Sequence, residues 1–124
     1  MRQLDHERLR VYGTALDFLT HVDVILARLP RGHADLADQL YRAASSICLN
    51  IAEGAGEFSA ADKARFYRMA RRSATECAAI LDVAHRLGFI DRELVAPGRD
   101  LLVQVVAMLT IMARRRTEPR GAIE

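Results

Sequence analysis

Tryptophan is absent, and only 6% of the 124 residues are aromatic. A core must therefore come from Leu, Val, Ile, Ala and Met, a palette better suited to helix-on-helix packing than to a sheet. Cysteine is scarce: Cys48 and Cys77 stand far apart with no CxxC spacing, so neither a zinc site nor a disulfide framework is signalled. Each lies in an apolar helical stretch and reads as a small buried hydrophobe. Lysine is nearly missing, since Lys63 is the only one and 17 of the 18 basic residues are Arg. Arginine grips phosphate bidentately, but a codon bias toward Arg yields the same count, and a net charge of +2 does not by itself advertise nucleic acid. The opening MRQLDHERLR lacks the apolar run of a signal peptide. No apolar stretch is expected to reach the roughly 18 residues that a membrane span needs. These absences lead us to expect a soluble, cytoplasmic protein with no membrane partner.

What is present is helical periodicity. At 124 residues with 51% hydrophobic content, the chain is the size of one domain with a core of its own. The first helix is expected from about Asp5 to Leu29, with Tyr12, Ala15, Leu19, Val22, Leu26 and Leu29 as an a/d seam. Val11, Phe18 and Ile25 form a second stripe. A helix with two apolar faces must bury both. Pro30-Arg31-Gly32 stops it. The second helix starts near His33 or Ala34 and turns Leu36, Leu40, Ala43, Ile47 and Ile51 inward; Glu53-Gly54-Ala55-Gly56 ends it, glycine taking the left-handed cap.

Ser59-Ala60-Ala61-Asp62 reads as a capping box for the third helix, whose seam is Phe66, Ala70, Ser73, Cys77, Ile80, Ala84 and Leu87, with Gly88 as the stop. Asp91 can cap the fourth. Pro97-Gly98 predicts a break or kink early in it. The stretch LLVQVVAMLTIMA after Asp100 is apolar on nearly every face. In so small a protein, that points to sharing between subunits. The expectation is an all-α, antiparallel up-and-down four-helix bundle, oligomeric, with residues 1–116 as one domain and 117–124 as a frayed tail.

Chemistry is thinly signalled. His6, His21, His33 and His85 have no metal-ligand spacing, and neither HExxH nor an inward Glu-x-x-His pair occurs. Gly54-x-Gly56 lacks the third glycine and the preceding strand of a phosphate loop. No Ser or Cys has an evident base partner. We therefore expect no enzyme, no cofactor and no metal. The arginines are more informative. With Ala70 and Cys77 at a positions, Arg65 and Arg72 fall at c, Arg68 at f and Arg71 at b, one exposed face with Tyr67 at its margin and Arg42 of the second helix as a possible addition. Such a face can neutralise phosphates. It can equally be a solvated surface on which Asp62 and Glu76 pair with Arg65 and Arg72. Arg114, Arg115 and Arg116 suit a helix C-terminus through its dipole.

The segment Ala44-Ser45-Ser46-Ile47-Cys48-Leu49-Asn50-Ile51-Ala52-Glu53-Gly54 resembles the signature of the four-helix-bundle proteins encoded in bacterial large-subunit rRNA intervening sequences, approximately S-I-P-x-N-I-A-E-G. Leu40-Tyr41-Arg42-Ala43-Ala44 is similar to the family's L-R-R-A-A, and Leu87-Gly88-Phe89-Ile90 to its L-G-Y-L. Cys48 stands where the family has proline, which should leave the second helix straighter. The resemblance implies a homopentamer. It also implies kinship with the accessory variability determinant proteins of diversity-generating retroelements, which bind RNA or DNA and a reverse transcriptase through basic surfaces more strongly charged than this one. Asn50, Glu53 and Gly54 match the motif, and their expected role is structural: Asn50 satisfies neighbouring polar groups and Gly54 caps. The functional expectation is a non-enzymatic oligomer that binds nucleic acid through Arg65, Arg68, Arg71, Arg72 and Arg42. The alternative is a protein–protein interaction module without nucleic acid.

Overall fold

The computed structural model describes residues 2–117. After a 3-10 turn at Asp5–Arg8 come four helices: α1, Arg10–Arg28; α2, Ala34–Gly56; α3, Ala60–Arg86; and α4, Arg92–Thr117. Each packs on its sequence neighbours, α4 closes back on α1, and among the described residues the backbones of diagonal helices do not approach closely. Contacts run in opposite senses along each pair. Ser46 meets Ser73 where Gly54 meets Tyr67, and Arg71 meets Thr110 where Asp82 meets Arg99. This is the expected antiparallel four-helix bundle. Thr117, assigned to a frayed tail from sequence, ends α4; residues 118–124 of that tail lie outside the described residues.

The helix expected from Asp5 begins at Arg10. The Leu4 amide donates to Glu7 Oε1 and the Glu7 amide to the Leu4 carbonyl, both at 3.1 Å, which closes the turn on itself. Leu9 is then extended, and its side chain packs against the core. In α1 the ranking of the two stripes is reversed. Val11, Phe18 and Ile25 are at most 1% exposed and form the inward line together with Ala15 and Val22. Tyr12, Leu19, Leu26 and Leu29 flank it, half-buried. Wedged between α2 and α4, α1 turns the stripe that contains Leu19 toward α2, where Leu19 shares a groove with Tyr41.

The rotation of α3 differs in a similar way. Ala70, Cys77, Ile80 and Ala84 are buried as expected, but Tyr67, Ala74 and Leu81 complete the core while Phe66 and Ser73 are half-buried and Leu87 is exposed. The cause is Gly54. It is not a cap: α2 runs through it to Gly56, and among the described residues only Gly32 and Gly88 have positive φ. Instead a Cβ at Gly54 would stand 2.7 Å from Cε1 of Tyr67. The missing side chain is the slot into which the Tyr67 ring, 1% exposed, packs. The C-terminus of α2 is satisfied by Lys63, whose Nζ donates to the Ala55 carbonyl at 2.9 Å and the Gly54 carbonyl at 3.4 Å. A cation there also complements the helix dipole.

Helix stops follow the sequence more closely at α3. Ser59 Oγ accepts from the Asp62 amide at 3.0 Å, capping the N-terminus. At the other end Gly88 takes φ 78°, and the bonds Phe89 N–H to Ala84 carbonyl and Gly88 N–H to His85 carbonyl make a Schellman motif. Asp91 caps α4 by accepting from the Leu94 amide at 3.1 Å. Of the break or kink expected at Pro97, the break does not occur: α4 is continuous through it. Proline removes the bond to the Glu93 carbonyl. One residue on, the Leu94 carbonyl accepts from His21 Nε2 of α1 at 2.6 Å, an outside partner beside the irregular turn. Gly98 leaves room for that ring, since a Cβ there would lie 3.0 Å from His21 Cδ2.

From there Leu102, Val105, Leu109 and Ala113 face the core, whereas Val103 and Ile111 are 59% and 49% exposed. Despite Arg99 and Asp100, the segment Arg92–Arg114 is by length and composition apolar enough to cross a membrane, where no such stretch was expected. Only 22% of its most apolar window is buried within the chain.

The Gly54 slot gives a sign test. Glycine to alanine inside a helix ordinarily stabilises by about 0.5–1 kcal/mol, and Gly13 of α1, with open space around it, should behave so. Gly54→Ala should instead destabilise by about 1–3 kcal/mol, as overpacking does. Urea unfolding of both variants reads the difference; equal stabilisation would mean that the Tyr67 ring yields freely.

Candidate nucleic-acid interface

Arg65, Arg68 and Arg72 sit at i, i+3 and i+7, so one turn of the helix brings each back to the outer ridge of α3. All three are exposed. Their presentation depends on the core side of the same helix, where Tyr67, Ala70, Ala74 and Cys77 hold α3 against α2 and α4. Tyr67, placed by sequence at the margin of the basic face, is buried on the opposite side. The Arg65 guanidinium lies 4.6 Å from the centroid of the Phe66 ring, a stacking worth about 0.5–1 kcal/mol at an exposed site. Arg71 is turned toward α4, where its Nε donates to Thr110 Oγ1 at 2.8 Å; that hydroxyl in turn donates to the Val106 carbonyl at 2.7 Å. Arg68, Arg71, Arg72, Thr75 and Glu76 line an open depression of about 500 Å³.

Neutralisation by Asp62 and Glu76 is not seen. Among the described residues the ion pairs are Arg42–Asp38 and a long Arg99–Asp82 contact at 4.0 Å, and no acid pairs with Arg65, Arg68 or Arg72. Arg42 separates from the other four. It sits in the groove between α2 and α3 with Asp35, Asp38, Gln39 and Glu76, bonded to Asp38, whose hydrogen bond and charge hold its guanidinium still more firmly protonated. The structure thus gathers four of the five arginines and assigns the fifth to an acidic groove.

The motif residues form a different feature. Asn50 Nδ2 donates to the Ser46 carbonyl at 3.0 Å and to Ser46 Oγ at 2.9 Å, and Ser73 Oγ of α3 donates to Ser46 Oγ at 3.0 Å. This polar ladder ties α2 to α3 about two turns away from the Gly54 slot. Glu53 is exposed. Lys63, the cap of α2, was missed in the sequence, although a cation a few residues beyond a helix end and a tight turn is a recognisable signal.

A family model described as 23S rRNA-intervening sequence protein matches residues 7–111. Among solved structures, the chain is similar to a protein of unknown function from the S23 ribosomal protein family of Bacteroides thetaiotaomicron VPI-5482. Identity is 22% and the TM-score 0.77, over 84% of this chain and 95% of that one. That likeness bears on the fold. No curated protein matches the chain.

Among the described residues no three His, Cys, Asp or Glu gather as metal ligands, and every buried side-chain N or O has a hydrogen-bond partner. His21 and His85 are bonded to the Leu94 and Ile90 carbonyls, and the His33 ring packs on Phe89 with centroids 3.8 Å apart. Burial raises the Cys48 thiol to about 11 and the Cys77 thiol to about 12. Thiolate is the reactive form, so both should resist alkylation at pH 8 in the native protein and react only with its unfolding. Because the unfolded thiols ionise first, stability should fall as pH rises above their ordinary value of about 9. Rapid labelling of either cysteine in unheated, denaturant-free protein, read by mass spectrometry, would contradict this assignment.

Proposed function

The chain belongs to the 23S rRNA-intervening sequence protein family, and from that premise we propose that it is a non-enzymatic homo-oligomer, a pentamer, that binds nucleic acid through the outer face of α3. The observation that carries this reading is the ridge of Arg65, Arg68 and Arg72, exposed and without acidic partners among the described residues. Unpaired guanidiniums have no carboxylate to give up before they contact a phosphate, so binding recovers the full electrostatic gain of counterion release. Arg71, tethered to Thr110, adds a positioned fourth donor. Repetition of the ridge in every subunit would raise avidity without any new contact, which answers the modest net charge of +2. Arg42 is left out of this surface. Two free cysteines, both buried, suit a reducing compartment and a cytoplasmic location.

A second reading, a protein–protein module that does not touch nucleic acid, is favoured by the exposed apolar side of α4, Val103 and Ile111 above all. Salt separates the two. Structured RNA and duplex DNA should bind the wild type at 50 mM salt and weaken by an order of magnitude or more at about 200 mM. Arg65, Arg68 and Arg72 all changed to Glu should bind at least tenfold more weakly at the lower salt. Equal binding by both proteins would move the site off α3. No binding by the wild type at 50 mM would leave the protein–protein reading.

A further inference from the structure

Phe58, in the turn between α2 and α3, is the most exposed large apolar residue among those described, at 101% against 65% for Leu4 and Leu49. Phe18 and Tyr67 belong to the core, and Tyr12, Phe66 and Phe89 are half-buried. Among the described residues no ring or cation stacks on Phe58.

This exposure has a local cause. Phe58 precedes Ser59, the N-cap of α3. A hydrophobe in that place ordinarily packs on the residue four positions into the helix. Here that residue is Lys63, whose ammonium is committed to the Ala55 and Gly54 carbonyls. The staple has no second half. The turn is nevertheless well held, with Glu57 and Ser59 both extended. The Glu57 amide donates to the Gly54 carbonyl at 3.2 Å, and the Ser59 carbonyl and hydroxyl accept from the Lys63 and Asp62 amides, both at 3.0 Å. With the backbone fixed on each side, the ring is presented with little conformational freedom left to lose on binding.

The helix that Phe58 introduces carries the arginine ridge. From Ser59 to Arg72 it rises about 20 Å, the length of a few extended nucleotides. Glu53, Glu57 and Asp62 flank the ring in sequence, so phosphates are repelled from the turn and drawn to Arg65 and beyond. Beside those acids an uncharged flat group is the fitting partner for the ring. A nucleobase is such a group, and it is tied to the phosphates that the arginines attract.

We infer that Phe58 stacks on an unpaired nucleobase while Arg65, Arg68 and Arg72 hold the neighbouring phosphates, so that the ligand is single-stranded nucleic acid or a loop or end of a folded one. This rests on the nucleic-acid reading above and narrows its substrate class. Every base has a π face, so the contact tolerates any sequence. In a duplex those faces are already covered by the bases above and below, and only the phosphates remain to be read.

Three probes at 50 mM salt test this: a short unstructured RNA, the duplex of the same sequence, and a phosphodiester oligomer of equal length built from abasic units. Phe58→Ala changes a fully exposed side chain, so its melting should match that of the wild type. It should bind the unpaired RNA about tenfold more weakly than the wild type does, and the duplex and the abasic oligomer equally well. Because the chain has no tryptophan, Phe58→Trp supplies a single emitter at the site. Saturating unpaired RNA should quench it, and the abasic oligomer should leave it unchanged. Equal affinity of Phe58→Ala and the wild type for unpaired RNA, or an emitter which that RNA leaves unquenched, would overturn the stacking while the arginine ridge stands. An emitter blue-shifted and shielded from iodide in the free protein would overturn it too, by placing residue 58 in a contact between copies. Failure of the wild type to bind any of the three probes would remove the nucleic-acid reading itself, and this inference with it.

Discussion

The Tyr67 ring seated against the missing side chain of Gly54 governs how the rest of the bundle is presented. A Cβ at Gly54 would stand 2.7 Å from this ring, so the contact ties the register of α2 against α3 to the rotation of α3 about its axis. With Tyr67 turned in, Arg65, Arg68 and Arg72 are turned out by geometry alone. The Asn50–Ser46–Ser73 ladder lies on the same pair of helices and pins the same register with directional bonds. Packing at one slot therefore decides which charges the protein shows to solvent.

Much of this was legible in the residues. Helix number, order and antiparallel sense followed from periodicity and from short turns, and the helix ends at Ser59, Gly88 and Asp91 had local chemistry that nothing in the tertiary structure contests. The errors share a cause. The 3-4 alternation through Ala70, Cys77 and Ala84 is compatible with partners on either flank, Phe66 and Ser73 or Tyr67 and Ala74, and only the identity of the opposing residue chooses. The two stripes of α1 pose the same ambiguity. Gly54 was readable as a cap because glycine near a helix end has two uses, left-handed backbone and close approach, and the second needs the partner helix in view. Pro97 illustrates the converse: the lost backbone bond was foreseeable, but the His21 ring that serves the neighbouring carbonyl comes from seventy-odd residues away.

The arginine face was only half-legible for an electrostatic reason. Sequence spacing places Arg65, Arg68, Arg71 and Arg72 together, but whether acids neutralise them depends on side-chain reach and on what the acids do elsewhere. Glu76 borders both the arginine depression and the α2–α3 groove that contains Arg42 and Asp38. That shared border is where the basic ridge ends and the acidic groove begins. Arg42 falls on the far side of it, a matter of helix rotation that no heptad register on α2 alone determines.

Lys63 has a consequence for anyone handling the protein. It is the only lysine in the chain, and its ammonium is occupied by the last carbonyls of α2. Acylating reagents that tag, crosslink or immobilise proteins through side-chain amines thus have one target here, and reacting there discards the charge that closes a helix end beside the Tyr67 slot. An amine-coupled preparation would report on a bundle whose α2–α3 corner has been uncapped, while arginine-directed or cysteine-free attachment would leave that corner as built.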